Sequence, residues 1–256
     1  MHDLRAISGS FDLTGRVACV TGASSGLGRR AASVLAAAGA QVVGVARRAD
    51  ALEEWRAMTP GATAAVPYDL TDRAGLADLA ARVGTPFGPP DILVHAAGIN
   101  TRQAADDVTP EGWDVTLNLN LATPFFLSQH LIGAMRAKGW GRIVNFASLQ
   151  STRAFPGGLA YGASKGGIAQ LTRAMAEAWS AHGINVNAIG PGFFRTELTA
   201  PVFADPARAA SNAARTCVGR NGELGDLDGP LMFFCSDASA YVTGQVLMVD
   251  GGFTAK

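Results

Sequence analysis

The stretch Val17 to Gly28, VACVTGASSGLG, leaves the chain few folds to adopt. Five residues that suit a buried strand run straight into three glycines. RRAASVLAAAGA, rich in strong helix formers and closed by Gly39, follows at once. A strand, a glycine turn and a helix in that order bring bare backbone to a helix N-terminus, where a phosphate is well held. Gly22, Gly26 and Gly28 supply the close approach, and Ser24, Ser25 and Leu27 complete the turn, which reads as a pyrophosphate cradle. The spacing G-x-x-x-G-x-G is not the commonest dinucleotide fingerprint, G-x-G-x-x-G. The strand before it and the helix after it carry the reading.

The same alternation continues along the chain. QVVGVARR, AAVPYDL and DILVHAAG read as further strands, with helix-like segments around Leu52, from Arg73 to Val83, and over a long span from Trp113 to Lys138. RIVNF, INVNAIG and QVLMVDGG add three more. The pattern predicts an α/β fold: a single Rossmann-type, doubly wound domain with a parallel sheet of about seven strands and helices on both faces. Residues 1–13 show no periodicity and read as an irregular arm, 14–256 as one domain, and 194–224 as a lid over the substrate. The 21 basic and 21 acidic residues cancel, so neither nucleic acid nor an anionic membrane surface is an expected partner. Cys19, Cys217 and Cys235 form no disulfide framework, and His2, His95, His130 and His182 lack metal-ligand spacing, so no metal is expected. No run of 18 apolar residues occurs and the first residues lack a signal peptide's apolar core. A cytoplasmic protein without a membrane anchor is the expectation.

Chemistry concentrates between Ser148 and Lys165. Tyr161 and Lys165 are four apart in a helix-forming stretch, so both stand on one face. An ammonium near a phenol lowers its pKa and fits it for proton transfer near neutral pH. Ser148 follows a strand-like run and falls where open α/β sheets bind ligands, with its hydroxyl placed to meet a substrate oxygen. At the end of the second strand stand Ala46, Arg47 and Arg48, with no carboxylate to grip ribose hydroxyls. A guanidinium there suits a 2′-phosphate, so NADP(H) is the preferred coenzyme and NAD(H) the lesser option.

Several pieces together closely resemble the short-chain dehydrogenase/reductase family from about Leu13 onward: TGASSGLG, Asp69 with Leu70, AAG at 96–98, Asn120 in NLNL, Ser148, YGASK, PGFFRT at 191–196, and VDGG. The resemblance implies hydride transfer with nicotinamide and a catalytic set of Asn120, Ser148, Tyr161 and Lys165. In that scheme Tyr161 exchanges the proton, Lys165 binds ribose and lowers the phenol's pKa, Ser148 holds the substrate oxygen, and Asn120 positions a water. It also implies Asp69 and Leu70 at the adenine, and Ala97 and Gly98 near the ribose. Pro191, Gly192, Phe194 and Thr196, with Ile189, fall near the nicotinamide. Where the family usually shows NNAG this chain has His95, Ala96, Ala97 and Gly98, and His95 reads as a structural residue of the sheet.

Within the family the chain is most similar to gluconate 5-dehydrogenases, through AGINTR, VNFASLQS, GPGFFRTELT and GQVLMVDGG. That likeness implies Arg102 at a substrate carboxylate and Gln150 at a sugar hydroxyl. The resulting expectation is an oxidoreductase interconverting a secondary alcohol, a sugar acid or polyol, and its ketone. The alternatives are a 3-oxoacyl-thioester reductase, which a basic patch for a carrier protein would favour although Arg29, Arg30 and Arg136 to Arg142 supply only scattered charge, and a non-catalytic coenzyme sensor. The resemblance also implies a homo-oligomer, most often a tetramer, meeting through the Tyr161 helix and the helix before it.

Overall fold

In the computed structural model residues 8–256 are described. Seven strands form one parallel sheet: β1 (Val17–Thr21), β2 (Gln41–Ala46), β3 (Thr63–Pro67), β4 (Ile92–His95), β5 (Gly141–Phe146), β6 (Ile184–Pro191) and β7 (Val246–Val249), in the order β3-β2-β1-β4-β5-β6-β7. Helices α1 (Gly26–Ala37), α2 (Ala49–Met58), α3 (Leu76–Gly84), α4 (Pro110–Leu117), α5 (Thr123–Lys138), α6 (Leu159–Trp179), α7 (Ala200–Phe203), α8 (Pro206–Ala214) and α9 (Asp228–Cys235) make the connections. The doubly wound fold expected from the sequence is the one observed.

The alternation of side chains along buried strands divides the core in two. Ala18 and Val20 of β1, Ile92 and Val94 of β4, and Val144 and Phe146 of β5 face α1, Trp55 and α9. Their neighbours Cys19, Leu93 and Ile143 face Leu79, Leu127 and Met175 of α3, α5 and α6. Gly44 in β2 is required by this packing, because a Cβ there would lie 2.6 Å from the Trp55 ring.

Three boundaries differ from the sequence expectation. The arm assigned to residues 1–13 has its first seven residues outside the described region, and its last, Leu13, is 1% exposed in the core with its amide bonded to the Ala38 carbonyl. The segment expected to begin as helix at Arg73 opens with an Asp72-capped turn, and α3 starts at Leu76. The long helix expected over Trp113–Lys138 is broken by a widened π-helical turn, Asn118–Ala122, between α4 and α5. Pro124 explains the break: it has no N–H for the Asn120 carbonyl, so the i→i−4 ladder fails there.

Candidate active site

Strand order reverses between β1 and β4, and ligands of open parallel sheets bind at such a switch point, beyond the carboxyl ends of the strands. A cleft of about 770 Å³ lies there. Its first wall is the glycine turn. Gly28 sits so close to the preceding backbone that a Cβ would be 2.3 Å from the Gly22 carbonyl oxygen. Ser25 makes no side-chain cap to α1, so the amides of that helix's first turn are left for an outside acceptor. A cradle without side chains, facing uncapped amides, fits a coenzyme pyrophosphate.

Arg47, Arg48, Asp69, Leu70, Ala97 and Gly98 line the same cleft. The Asp69 carboxylate accepts from the Thr71 amide at 3.0 Å and the Thr71 hydroxyl at 2.8 Å, and these bonds together with nearby Arg47 hold it below the usual carboxylate range. Arg48 reaches over the glycine turn to Glu197, with Nη1–Oε1 and Nη2–Oε2 at 3.1 and 3.0 Å.

Ser148, Tyr161 and Lys165 line the cleft beyond the end of β5. Ser148 opens a short 3₁₀ turn: its Oγ accepts from the Gln150 amide at 3.1 Å, and its hydroxyl favours the charged form of the Tyr161 phenol. Two further serines fix this cluster. Ser151 Oγ accepts from the Ser148 amide at 3.3 Å and donates to the Lys165 carbonyl at 2.7 Å. Ser164 Oγ donates to the Tyr161 carbonyl at 2.7 Å and accepts from Asn120 Nδ2 at 3.0 Å.

Three sequence expectations need correcting here. Lys165 does not bring the Tyr161 pKa below its ordinary value. Its Nζ donates to the Phe146 carbonyl at 2.6 Å and stands 5.5 Å from the ring centroid, while burial raises the phenol against opposing effects from Ser148 and Arg102. Burial instead pulls the ammonium itself down to about 8. Asn120 does not line the cleft: its Oδ1 accepts from the Ile99 amide at 2.9 Å, and its Nδ2 donates to the Ile99 carbonyl at 2.8 Å as well as to Ser164. The amide is thus spent on pinning the loop after β4. Ile189, expected at the nicotinamide, is fully buried behind the wall.

The remaining wall comes from the loop after β4 and the excursion from Pro191 to Gly222. Pro191, Gly192, Phe194 and Thr196 line it. Arg102 has φ 55°, unusual for a residue with a Cβ, and its amide bonds Asn100 Oδ1 at 3.0 Å. Its guanidinium donates to the Leu198 carbonyl at 2.5 Å, tying this loop to the excursion. Gln150 is part-buried, and its Oε1 has no hydrogen-bond partner. Arg208 and Arg215, on and just after α8, also line the cleft, and Arg215 lies over the Phe253 ring at 4.4 Å.

A family model described as enoyl-(acyl carrier protein) reductase, one of the short-chain dehydrogenase/reductase models, matches residues 22–254. The chain belongs to the short-chain dehydrogenase/reductase family. It is 40% identical over 248 residues to gluconate 5-dehydrogenase of Gluconobacter oxydans (strain 621H), covering 95% of this chain and 96% of that one. It is 40% identical over 256 residues to 2-dehydro-3-deoxy-D-gluconate 5-dehydrogenase of Escherichia coli (strain K12), covering 98% and 100%. A gluconate 5-dehydrogenase from Burkholderia cenocepacia J2315, solved in complex with NADP and tartrate, superposes with a TM-score of 0.91 at 35% identity over 96% of this chain and 98% of that one. This short-chain dehydrogenase/reductase is therefore an oxidoreductase using a nicotinamide coenzyme on a secondary alcohol or its ketone.

For this dehydrogenase the structure also shows which site residues the sequence reading missed. Ser151 and Ser164 carried a signal, since each is a short polar residue a few positions from a proposed catalytic one. Arg208, Asn212 and Arg215 carried none, because only the folding back of α8 brings them to the cleft. His95, where the family usually has asparagine, is 4% exposed on β4 and bonds Ser128 of α5 at 2.8 Å. It takes no part in the cleft, as expected. Among the described residues no group of three or more His, Cys, Asp or Glu could hold a metal ion, and no helix is long and apolar enough to cross a membrane.

Proposed function

We propose that the enzyme interconverts a hydroxyl and a ketone on a sugar acid of the gluconate kind, with NADP(H) as coenzyme. The observation that carries the reading is the charge of the cleft beyond Tyr161. Arg102, Arg208 and Arg215 all line it, and a carboxylated substrate is what such a wall recognises. The names of the relatives and the tartrate in the Burkholderia structure, an anionic hydroxy acid, support the same class. Arg48 and Arg47 at the end of β2 support the 2′-phosphate of NADP(H).

The coenzyme supplies or takes up the hydride. In reduction the Tyr161 phenol gives its proton to the substrate oxygen, and in oxidation the same oxygen receives it. Ser148 Oγ, which favours the charged form of that phenol, takes a hydrogen bond with the substrate oxygen and so fixes its distance from the proton. Lys165, held against the Phe146 carbonyl, keeps a positive charge beside the phenol and stabilises phenolate as it forms. Asn120 is a positioning residue that holds the loop after β4 and, through Ser164, the helix turn bearing Tyr161. Ser24, Ser25 and Thr196 complete the coenzyme side, and Gln150 lines the substrate side.

The test is a side-by-side NADPH-consumption assay on 5-keto-D-gluconate, the corresponding neutral keto-sugar and acetoacetyl thioester. Preference for the acid is expected, and it should shrink in Arg102→Ala or Arg215→Ala. Turnover confined to the thioester identifies a 3-oxoacyl-thioester reductase instead. Equal turnover of acid and neutral sugar removes the carboxylate argument.

A further inference from the structure

We propose that Glu197 sets coenzyme preference: its carboxylate holds Arg48 where a coenzyme 2′-phosphate would, so NADP(H) gains Arg48 only by displacing Glu197, whereas NAD(H) leaves the pair made. The inference rests on the NADP(H) reading above.

Arg48 meets Glu197 through both ends of its fork, at 3.1 and 3.0 Å, and its Nη2 is also 3.3 Å from Ser24 Oγ. The Ser25 hydroxyl also favours the charged form of the same carboxylate. An internal anion therefore sits among the donors of the glycine turn and the strand-end arginine, the groups best suited to coenzyme phosphates. It is delivered there by a braced turn: the Thr196 amide donates to Thr199 Oγ1 at 3.0 Å, and that hydroxyl donates to the Phe194 carbonyl at 2.5 Å. Thr196 itself touches the glycine turn, since a Cβ on Gly26 would lie 3.2 Å from its Cβ. One residue on from Glu197, the Leu198 carbonyl accepts from Arg102 on the substrate side. A 2′-phosphate that takes Arg48 thus removes one of two arginine ties on the segment over the substrate.

The side chains of the pair are 51% and 65% exposed, so the competition is modest. Dissociation constants of NADPH and NADH, read by coenzyme fluorescence with purified protein, test it directly in wild type, Glu197→Gln and Arg48→Ala. Glu197→Gln should tighten NADPH about three- to fivefold and leave NADH unchanged. The fragments 2′,5′-ADP and 5′-ADP should divide in the same way. If Glu197→Gln shifts both coenzymes equally, or neither, while Arg48→Ala weakens NADPH alone, Glu197 has no part in preference and the NADP(H) reading stands. If Arg48→Ala changes neither coenzyme, both readings fall.

Discussion

The phenol of Tyr161 is raised by its own burial, and Ser148 and Arg102 are what oppose that rise. An acid of this kind stays protonated well above neutral pH, ready for reduction, and needs help to become a base. Replacing it by Phe removes the proton but little volume, so Tyr161→Phe should lower kcat/KM about 10²–10⁴-fold while the NADPH dissociation constant stays put. Steady-state kinetics with a parallel binding titration check this. Lys165 sets the upper pH limit. Its ammonium is pulled to about 8, so below that pH the charge beside the phenol is present, and above it the charge is lost. The reductive kcat/KM, which reports the free enzyme, should be flat up to about pH 8 and fall beyond it. Ser164→Ala tests the bracing: Asn120 Nδ2 and the Tyr161 carbonyl each lose a partner. A melting-temperature loss corresponding to about 1–2 kcal/mol is expected, with kcat falling more than KM rises. The sequence showed Ser148, Tyr161 and Lys165 because their spacing is itself the chemistry. It did not show that Lys165 bonds the Phe146 carbonyl, since that contact depends on how closely α6 lies against β5.

At the level of elements, buried strands were legible as apolar runs and the glycine turn as punctuation, and β1 coincides with VACVT. The break between α4 and α5 was not, although its cause, Pro124, stands in the sequence. A proline near a helix start is unremarkable by itself. His95 shows a different kind of hidden pairing. Ser128 Oγ donates to the Pro124 carbonyl at 2.7 Å, so His95 Nε2 must donate to Ser128, and the imidazole is neutral. Burial holds its pKa down at about 4 against an ordinary value of 6.5. The unfolded chain therefore binds the extra proton first, and this residue's contribution is intact above pH 6.5 and lost as pH falls toward 4. Acid unfolding followed by circular dichroism should begin at lower pH in His95→Asn than in wild type. Gly44→Ala makes the complementary test of packing. Its added methyl meets the Trp55 ring, and a loss of about 1–3 kcal/mol in denaturant unfolding is expected.

Over the whole molecule, the amino ends of the strands are tied together as firmly as the carboxyl ends are left open. Asp91, 2% exposed, accepts from the Val17 amide at 3.0 Å and from Lys138 at 2.6 Å, joining β1, β4 and α5. Arg16 and Arg142 flank the Trp140 ring at 3.6 and 4.4 Å, and Trp140 Nε1 and Arg142 both bond Asp237 just beyond α9. Asp237→Ala leaves the buried Arg142 without its carboxylate. A cost of about 1–3 kcal/mol should appear as a melting point lower by a few degrees, with kinetics unchanged. None of this closure was readable from the chain, because its hydrogen-bonded partners lie up to 97 positions apart. The reversal of strand order between β1 and β4 has a consequence of its own. In the proposed site, residues 22–98 together with the turn Pro191 to Glu197 grip the coenzyme, while Ser148, Tyr161, Lys165 and the arginines Arg102, Arg208 and Arg215 furnish the chemistry and the basic wall. Exchanging 200–216 for the matching stretch of a relative should therefore retune which alcohol is oxidised without retuning the hydride carrier. In a scaffold of this build, new metabolic roles can be acquired by swapping one cassette.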